Sequence, residues 1–435
     1  MNFFNRFFKQ KSIKIHRLDL GKYSYANKTQ QQIEHWKKAE EFYEKKMLLK
    51  AFEHFFYYLK DDDNQDFKLQ INQKQINFEF PQGSKKIYGY IDEKKIKAWA
   101  DVVKYINKID VHTLEEFLKL NYKLKFSKFV KTASSIRLIS EFSTSTTHPI
   151  TLYRTLREIA VTADSIDDIL VEKHSNFQEI NLAKITPLPE QEKKIKISYI
   201  RTWIKQALSY IKKLDKKKFA PAIAFILLNT IYKIYYLTSP EGVLLNELKE
   251  LDQIYHTTDK TIEEKNRIIA DRLTKIYKLS EDQLTKSLYY VKATFPYLPP
   301  TPTKKIIEFA KKEINKSHWY HDNGYKYIAG TICEYIIGYA NFHFGLETIT
   351  NDLFNVFWIV MNYQYFKDLG IQTNFILNGK INYFAIHNII RKITINAKKI
   401  YPKFVFNTKH LALTNLQDFA SSFIYEFINS KLDET

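Results

Sequence analysis

Carboxylates one helical turn apart, two histidines three residues apart and several lysine and arginine clusters are the side chains whose types and spacing could do chemistry. Asp164, Asp167 and Asp168 stand in Ala163-Asp164-Ser165-Ile166-Asp167-Asp168. On a helix Asp164 and Asp168 share a face, as an acid/base pair would. No histidine, metal-ligand set or glycine-rich substrate loop accompanies them, so they read as solvated or salt-bridged helix residues. His318 and His321, in His318-Trp319-Tyr320-His321-Asp322, have metal-ligand spacing in what reads as a polar turn. A site there would need further ligands from elsewhere, and the flanking aromatics fit a packed turn equally well. Cys333 is the only cysteine and lies in a mostly apolar run. It reads as a small buried residue, not a nucleophile, and a chain without a disulfide suits a reducing compartment such as the cytosol.

The cationic residues form two groups. Arg391, Lys392, Lys398 and Lys399 are spaced i, i+1, i+7 and i+8, on a helix face largely apart from Ile386, Ile389, Ile390, Ile393 and Ile400. Arg201, Lys205, Lys212 and Lys213 lie opposite the apolar stripe Ile200, Trp203, Ile204, Ala207, Leu208, Ile211 and Leu214. A compact cationic face is what phosphate backbones or acidic partners require. The competing reading, an ordinary solvated face in a chain of net charge +19, is favoured. The heavy use of Lys, Asn, Ile, Phe and Tyr is of the kind an AT-rich genome produces, so charge alone is weak evidence. The sequence carries no helix-turn-helix, zinc-finger or RNP-type motif, no Walker A, no dinucleotide fingerprint and no nucleophile elbow. It therefore points to no catalytic residue, no cofactor and no metal, and leans away from an enzyme.

The elements that must position these residues follow from pattern. A chain of 435 residues exceeds what one core usually serves, and its 45% hydrophobic and 26% charged residues are ordinary for a globule. Only 10 Gly and 11 Pro favour long regular elements. Met1 to Arg17 carries Phe3, Phe4, Phe7 and Phe8 in one stripe with basic and no acidic residues. Such a helix can lie on an anionic membrane, although its shortness favours a tail docked by its Phe side chains. Helical spacing runs over Gln32 to Leu59, resembling one half of a tetratricopeptide hairpin without a second copy, which suits a helical hairpin packed on a neighbour. Asp61-Asp62-Asp63-Asn64 lacks the alternation of a calcium loop and reads as a solvated turn.

Alternation then predicts strands at Phe67 to Ile71, Ile76 to Phe80 and Ile87 to Ile91, the last two joined as a hairpin through Pro81-Gln82-Gly83-Ser84. The spacing predicts helices over Glu93 to Ile106 and Thr113 to Leu120, a strand pair at Tyr122 to Lys131 and Ile136 to Phe142, and a long helix over Thr151 to His174. This last turns Leu152, Leu156, Ile159, Ala163, Ile166 and Ile169 or Leu170 to the sheet.

Leu120-Asn121-Tyr122-Lys123-Leu124-Lys125-Phe126-Ser127-Lys128-Phe129, followed by Leu152-Tyr153-Arg154, Leu156-Arg157-Glu158, Ala163-Asp164 and Asp167-Asp168, resembles the YbjN-like branch of the type III secretion chaperone-like fold. The resemblance covers about Asp66 to Phe177 and rests on packing and helix chemistry, not on catalysis. It implies a small α+β sandwich, often dimeric, that binds other polypeptides. The chain departs from the secretion chaperones in being long and basic with a helical extension.

Beyond a linker over Ala183 to Lys196, marked by Pro187 and Pro189, the chain reads as helical. Pro296, Pro299, Pro300 and Pro302 mark a second break. From Tyr327 to Phe366 the only charges are Glu334, Glu347 and Asp352, with Gly330, Gly338 and Gly345 allowing close approach, as in a buried helical hairpin. Leu369 to Gln417 has no acidic residue. The hydrophobic runs Ala222 to Leu228 and Val356 to Met361 are short for a bilayer span of roughly 20 residues, so the chain reads as soluble. The fold class is thus an α+β N-terminal domain, an antiparallel sheet with helices, followed by a mainly α-helical C-terminal region. Its divisions are 1–65 (tail and hairpin), 66–182 (α+β), and 197–300 and 301–435 (helical, as two domains or one unit). The expected function is a cytoplasmic protein-binding module or chaperone-like adaptor with a protein partner or a second copy of itself. The alternative is a nucleic-acid-associated factor using the basic faces.

Overall fold

Period-two burial organises the first half of the chain. A computed structural model describes residues 20–21, 28–61, 64–180 and 183–432, so the stripe over Met1 to Arg17, and Asp62 and Asp63, lie outside the described residues. The chain forms two units, one of residues 23–187 with 289–297, the other of residues 1–22, 188–288 and 298–435.

The α+β unit opens with a hairpin of α1 (Gln30–Glu44) and α2 (Leu48–Leu59). Thr29 and Gln32 form a capping box on α1, and Asp61 of the expected solvated turn pairs instead with Lys28 at 3.0 Å. Strands β1 (Lys68–Ile71), β2 (Gln75–Gly83), β3 (Lys85–Asp92) and β4 (Lys95–Tyr105) follow, then α3 (Val111–Lys123), β5 (Lys128–Lys131), β6 (Ser135–Ser143), α4 (Pro149–Lys173), β7 (Phe177–Glu179) and β8 (Thr186–Pro187). Two short strands return from far along the chain, β9 (Tyr289–Tyr290) beside β8 and β10 (Lys292–Ala293) beside β2. The main sheet is antiparallel in the order β1-β2-β3-β4-β6-β5, with β7 paired to β4.

Alternation explains the hairpin. Ile76, Phe78 and Phe80 on β2 and Ile87 and Ile91 on β3 are buried, and the pairing of Gln82 with Lys85 leaves Gly83-Ser84 as a two-residue turn. Gly83 has φ +58, the backbone such a turn requires at its first position. The predicted helix over 93–106 is the strand β4. Ile96, Ala98, Ala100 and Val102 alternate as buried positions, but the large apolar residues Ile96, Trp99, Val102 and Val103 fall at helical spacing because Trp99 is on the opposite face and a register shift between Asp101 and Val103 buries both Val102 and Val103. The strand expected from Tyr122 starts only at Lys128, since α3 runs to Lys123. On α4 the sheet-facing residues are Leu152, Leu156, Ile159, Ala163 and Leu170, while Ile169 is exposed. Phe52, Phe55 and Phe56 of α2 and Phe295 of the returning segment complete the same core.

The helical unit contains α5 (Glu190–Ile211), α6 (Ala220–Thr238), α7 (Gly242–His256), α8 (Ile262–Lys278), α9 (Glu281–Thr285), α10 (Thr303–Asp322), α11 (Lys326–His343), α12 (Thr348–Met361), α13 (Tyr363–Asp368), α14 (Tyr383–Ala397) and α15 (Leu416–Ile428), with a small hairpin of β11 (Ile376–Leu377) and β12 (Lys380–Ile381). Its first helix begins inside the expected linker. Glu192 and Lys196, both buried, pair at 3.1 Å one turn apart and carry the helix through the charged stretch. Among the described residues α6 is the one helix long and apolar enough to cross a membrane, and within this unit all of it but Pro221 and Lys233 is buried.

The charge-poor stretch folds as two buried helices, α11 and α12, but not as the expected hairpin: α11 packs on α6, α10 and α15, and α12 on α14 and α15. Gly338 lets α11 approach α6 closely, for a Cβ there would stand 2.8 Å from Cβ of Tyr232. Of the three charges in that stretch, Glu334 pairs with Lys233 and Glu347 accepts from Tyr401. Asp352 is buried in α12, and burial pushes its carboxyl up to about 7. A carboxyl raised in the folded state stabilises the fold below its unfolded pKa and loses that contribution as pH rises through about 7. Asp352→Asn is therefore expected to raise stability at pH 8 by on the order of 3 kcal/mol and to leave it little changed at pH 4. Urea unfolding at the two pH values measures this; equal effects at both would refute it.

Candidate functional site

Two of the eight cationic residues singled out by spacing line a cleft. Arg201 and Lys205 on α5 border, with Lys194, Thr202, Tyr277 and Glu281, a space of about 590 Å³. Arg201 is held there by an Nη2 donation to the carbonyl of Leu279 at 2.9 Å. Lys212 caps the C-terminus of α5 and Lys213 follows it, both exposed and outside that cleft. Arg391 and Lys392 are exposed on α14, whose Ile386, Ile389, Ile390 and Ile393 are buried. The helix stops at Ala397, so Lys398 is its cap, Lys399 lies beyond it and Ile400 is exposed. The predicted helix, with four cations on a face apart from five isoleucines, is thus cut short, because α14 ends at Ala397 and the chain enters the loop before Phe404.

His318 and His321 sit on α10, not in a turn. They border a cleft of about 310 Å³ with His410, Asp418, Tyr425 and Glu426. His410 Nδ1 lies 2.7 Å from Glu426 Oε1, and the other oxygen of Glu426 accepts from the Asn407 N–H at 3.0 Å. That pairing already accounts for the carboxylate. Cys333 is fully buried, which pushes its thiol up to about 12 and removes it as a nucleophile at neutral pH.

Of the two readings of the α4 aspartates, solvated or salt-bridged, Asp167 takes the second. Asp167 is buried and pairs at 2.7 Å with Lys85, itself 0% exposed. Lys85 Nζ also donates to the carbonyls of Val102 and Ile180, each at 2.9 Å, so all three of its protons have acceptors. The Ser84 hydroxyl donates to Asp167 at 2.7 Å and its N–H to Asp164 at 2.9 Å. Asp164 also accepts from the Tyr297 hydroxyl. A Cβ on Gly83 would stand 1.6 Å from Asp164 Oδ1, so only glycine fits. Burial, then the charges of Asp167 and Asp164, push the Asp168 carboxyl up to about 7. Around this centre Gln82 bonds three backbone groups of Thr294 and Phe295, Arg157 donates to the carbonyls of Pro296 and Tyr297, and Glu158 accepts from the N–H groups of Lys125, Phe126 and Ser127. The arrangement is a clasp that joins the β2–β3 turn, α4 and residues 294–297. Its donors are spent internally, which suits cohesion and not proton transfer to a substrate.

One constellation escaped the sequence reading. Asp252 and His256 on α7 and His343 on α11 bring three potential ligand atoms within 4.8 Å of one another. Burial would raise the Asp252 carboxyl, but His256, His343 and the Tyr232 hydroxyl outweigh it and hold the group below the usual carboxylate range. The i, i+4 spacing of Asp252 and His256 was a visible signal; the third member, 87 residues beyond His256, was not. No protein-family model matches this chain, and no curated protein matches it.

The clasp makes a quantitative prediction. Lys85→Met leaves a buried, unpaired Asp167 and is expected to cost about 3–5 kcal/mol. Lys85→Met with Asp167→Leu removes both charges and should recover most of that loss. Guanidinium unfolding of both variants tests it; a double variant no better than the single one would show that the pair does not act as a unit.

Proposed function

We propose that this chain is a non-enzymatic cytosolic protein-binding module or chaperone-like adaptor, with a YbjN-like α+β unit as its binding element. The carrying observation is the outer face of α3. Val111, Leu118 and Tyr122 fall at i, i+7 and i+11 on one stripe, exposed to 72%, 67% and 93%, while Thr113 and Phe117 on the opposite side are buried. Folding within the unit gives these three side chains no cover. An aliphatic and aromatic stripe of this kind is what anchors an apolar segment of another polypeptide. The sheet edges are poorer candidates, because β1 and β5 are four residues long and carry Lys68, Lys128 and Lys131, which discourage strand addition. The antiparallel sheet with α3 and α4 over the region of resemblance supports the fold assignment.

A second reading rests on the cleft between Lys194, Arg201 and Lys205, where three cations meet in one concavity and an acidic or phosphate-bearing partner would find complementary charge. Purification of the tagged protein from its native cells, at two salt concentrations and with and without nuclease, separates the readings. A protein partner that survives high salt and nuclease is expected. Leu118→Asp with Tyr122→Asp should reduce its recovery at least tenfold with little change in melting temperature, since both positions are exposed. Partners that leave on nuclease treatment, or on Arg201→Glu with Lys205→Glu but not on the α3 changes, would overturn the first reading in favour of the second. Sedimentation of the purified chain tells a second copy from a different partner.

A further inference from the structure

Three donors converge on one oxygen in the helical unit. Oδ1 of Asp252 lies 2.6 Å from the Tyr232 hydroxyl, 3.1 Å from His343 Nε2 and 3.6 Å from His256 Nε2. Hydrogen bonding explains the first two. The third, at 3.6 Å, is longer than a hydrogen bond and is an ion pair only when His256 is protonated, although that side chain is 45% exposed and free to turn to water.

We propose that Asp252, His256 and His343 bind one divalent first-row transition-metal ion, with zinc the best match, leaving at least one position open to water. Metal–ligand bonds of roughly 2.0–2.1 Å place neighbouring donors about 3.0–3.4 Å apart, close to the two separations from Asp252 Oδ1. Two imidazoles and one carboxylate suit zinc and its neighbours, whereas magnesium and calcium take oxygen ligands. The surroundings supply the outer layer such sites need. The Tyr232 hydroxyl orients the carboxylate, and the Tyr339 ring, 4.2 Å from that of His343, limits the rotation of the imidazole. Access comes from the exposed side of His256. The helices are suited to the task, since one turn of α7 supplies two ligands and α11, held against α6 at Gly338, supplies the third. This site goes beyond the binding function proposed above and does not depend on it.

The test is titration of the full chain, freed of metal with a chelator, first with cobalt(II) followed by visible absorption and then with zinc in competition. One equivalent of cobalt, a d–d absorption band and displacement by zinc are expected. His256→Ala, at an exposed position, should keep the circular dichroism of the parent and weaken zinc binding at least 100-fold, and Tyr232→Phe should weaken it about tenfold. Failure to bind one equivalent at micromolar metal would overturn the proposal. So would stoichiometric binding that persists in His256→Ala and disappears in His318→Ala with His410→Ala.

Discussion

The buried ion pair between Lys85 and Asp167 is the constraint on which the α+β unit depends. Removing two charges from water costs several kcal/mol for each ion, and only close geometry with every remaining donor satisfied repays it. Lys85 meets that condition through Asp167, the carbonyl of Val102 on β4 and the carbonyl of Ile180 after β7, whereas Asp167 meets it in part, since Oδ2 takes Lys85 and Ser84 while Oδ1 is buried without a hydrogen-bond partner. One ammonium group thereby sets the spacing of the β2–β3 turn, α4, β4 and the segment after β7. Ser84 and Asp164 extend the constraint to Tyr297, so residues more than two hundred positions from the turn belong to the same polar centre. Charges so placed specify one arrangement more than they add net stability.

The helical unit is built on a different economy. Its central helices α6, α11 and α12 are apolar nearly all round and approach where glycine permits. The polar groups carried into that interior are mostly matched: Trp358 donates to Asn341 at 2.9 Å, Tyr236 to Asn355 at 2.6 Å and Tyr365 to the carbonyl of Leu237 at 2.8 Å. Asp352 departs from that rule by being raised towards neutrality. Asp252 departs from it by gathering two histidines and a tyrosine on one oxygen. Asp352 is enclosed in α12, where an ionisable group is costly, whereas Asp252 lies on the half-exposed α7 beside the exposed His256.

The features that support the proposed binding lie at the surface of the α+β unit, and the proposed metal site lies in the helical unit. The α3 stripe presents apolar side chains to solvent on a helix that buries Thr113 and Phe117 on its other face. The short, lysine-bearing edge strands β1 and β5 discourage strand pairing. The basic cleft on α5 belongs to a helix whose apolar side, at Ile200, Trp203, Ile204 and Ala207, is buried as its stripe requires.

What the sequence determined by itself was local. Period-two and period-3.6 patterns placed the α1–α2 hairpin, β2, β3, β6 and α4, because one buried face writes its period directly into the residues. Depletion of charge located the buried helices α11 and α12 and the burial of Cys333, but not that α11 would pack on α6 and α10 instead of on α12. Local pattern failed at β4, where a bulge counterfeits helical spacing, and at Glu190 to Lys196, where charged residues continue a helix by pairing with one another. Tertiary structure alone decided the roles of the polar residues. A carboxylate on α4 reads the same in sequence whether it faces water or a lysine from a turn 82 residues earlier. Asp252 and His256 gain meaning only when α11 brings His343 beside them. Burial follows from residue type and period, but the partner of a charge is set by which distant segments the fold brings together, and no local pattern records that.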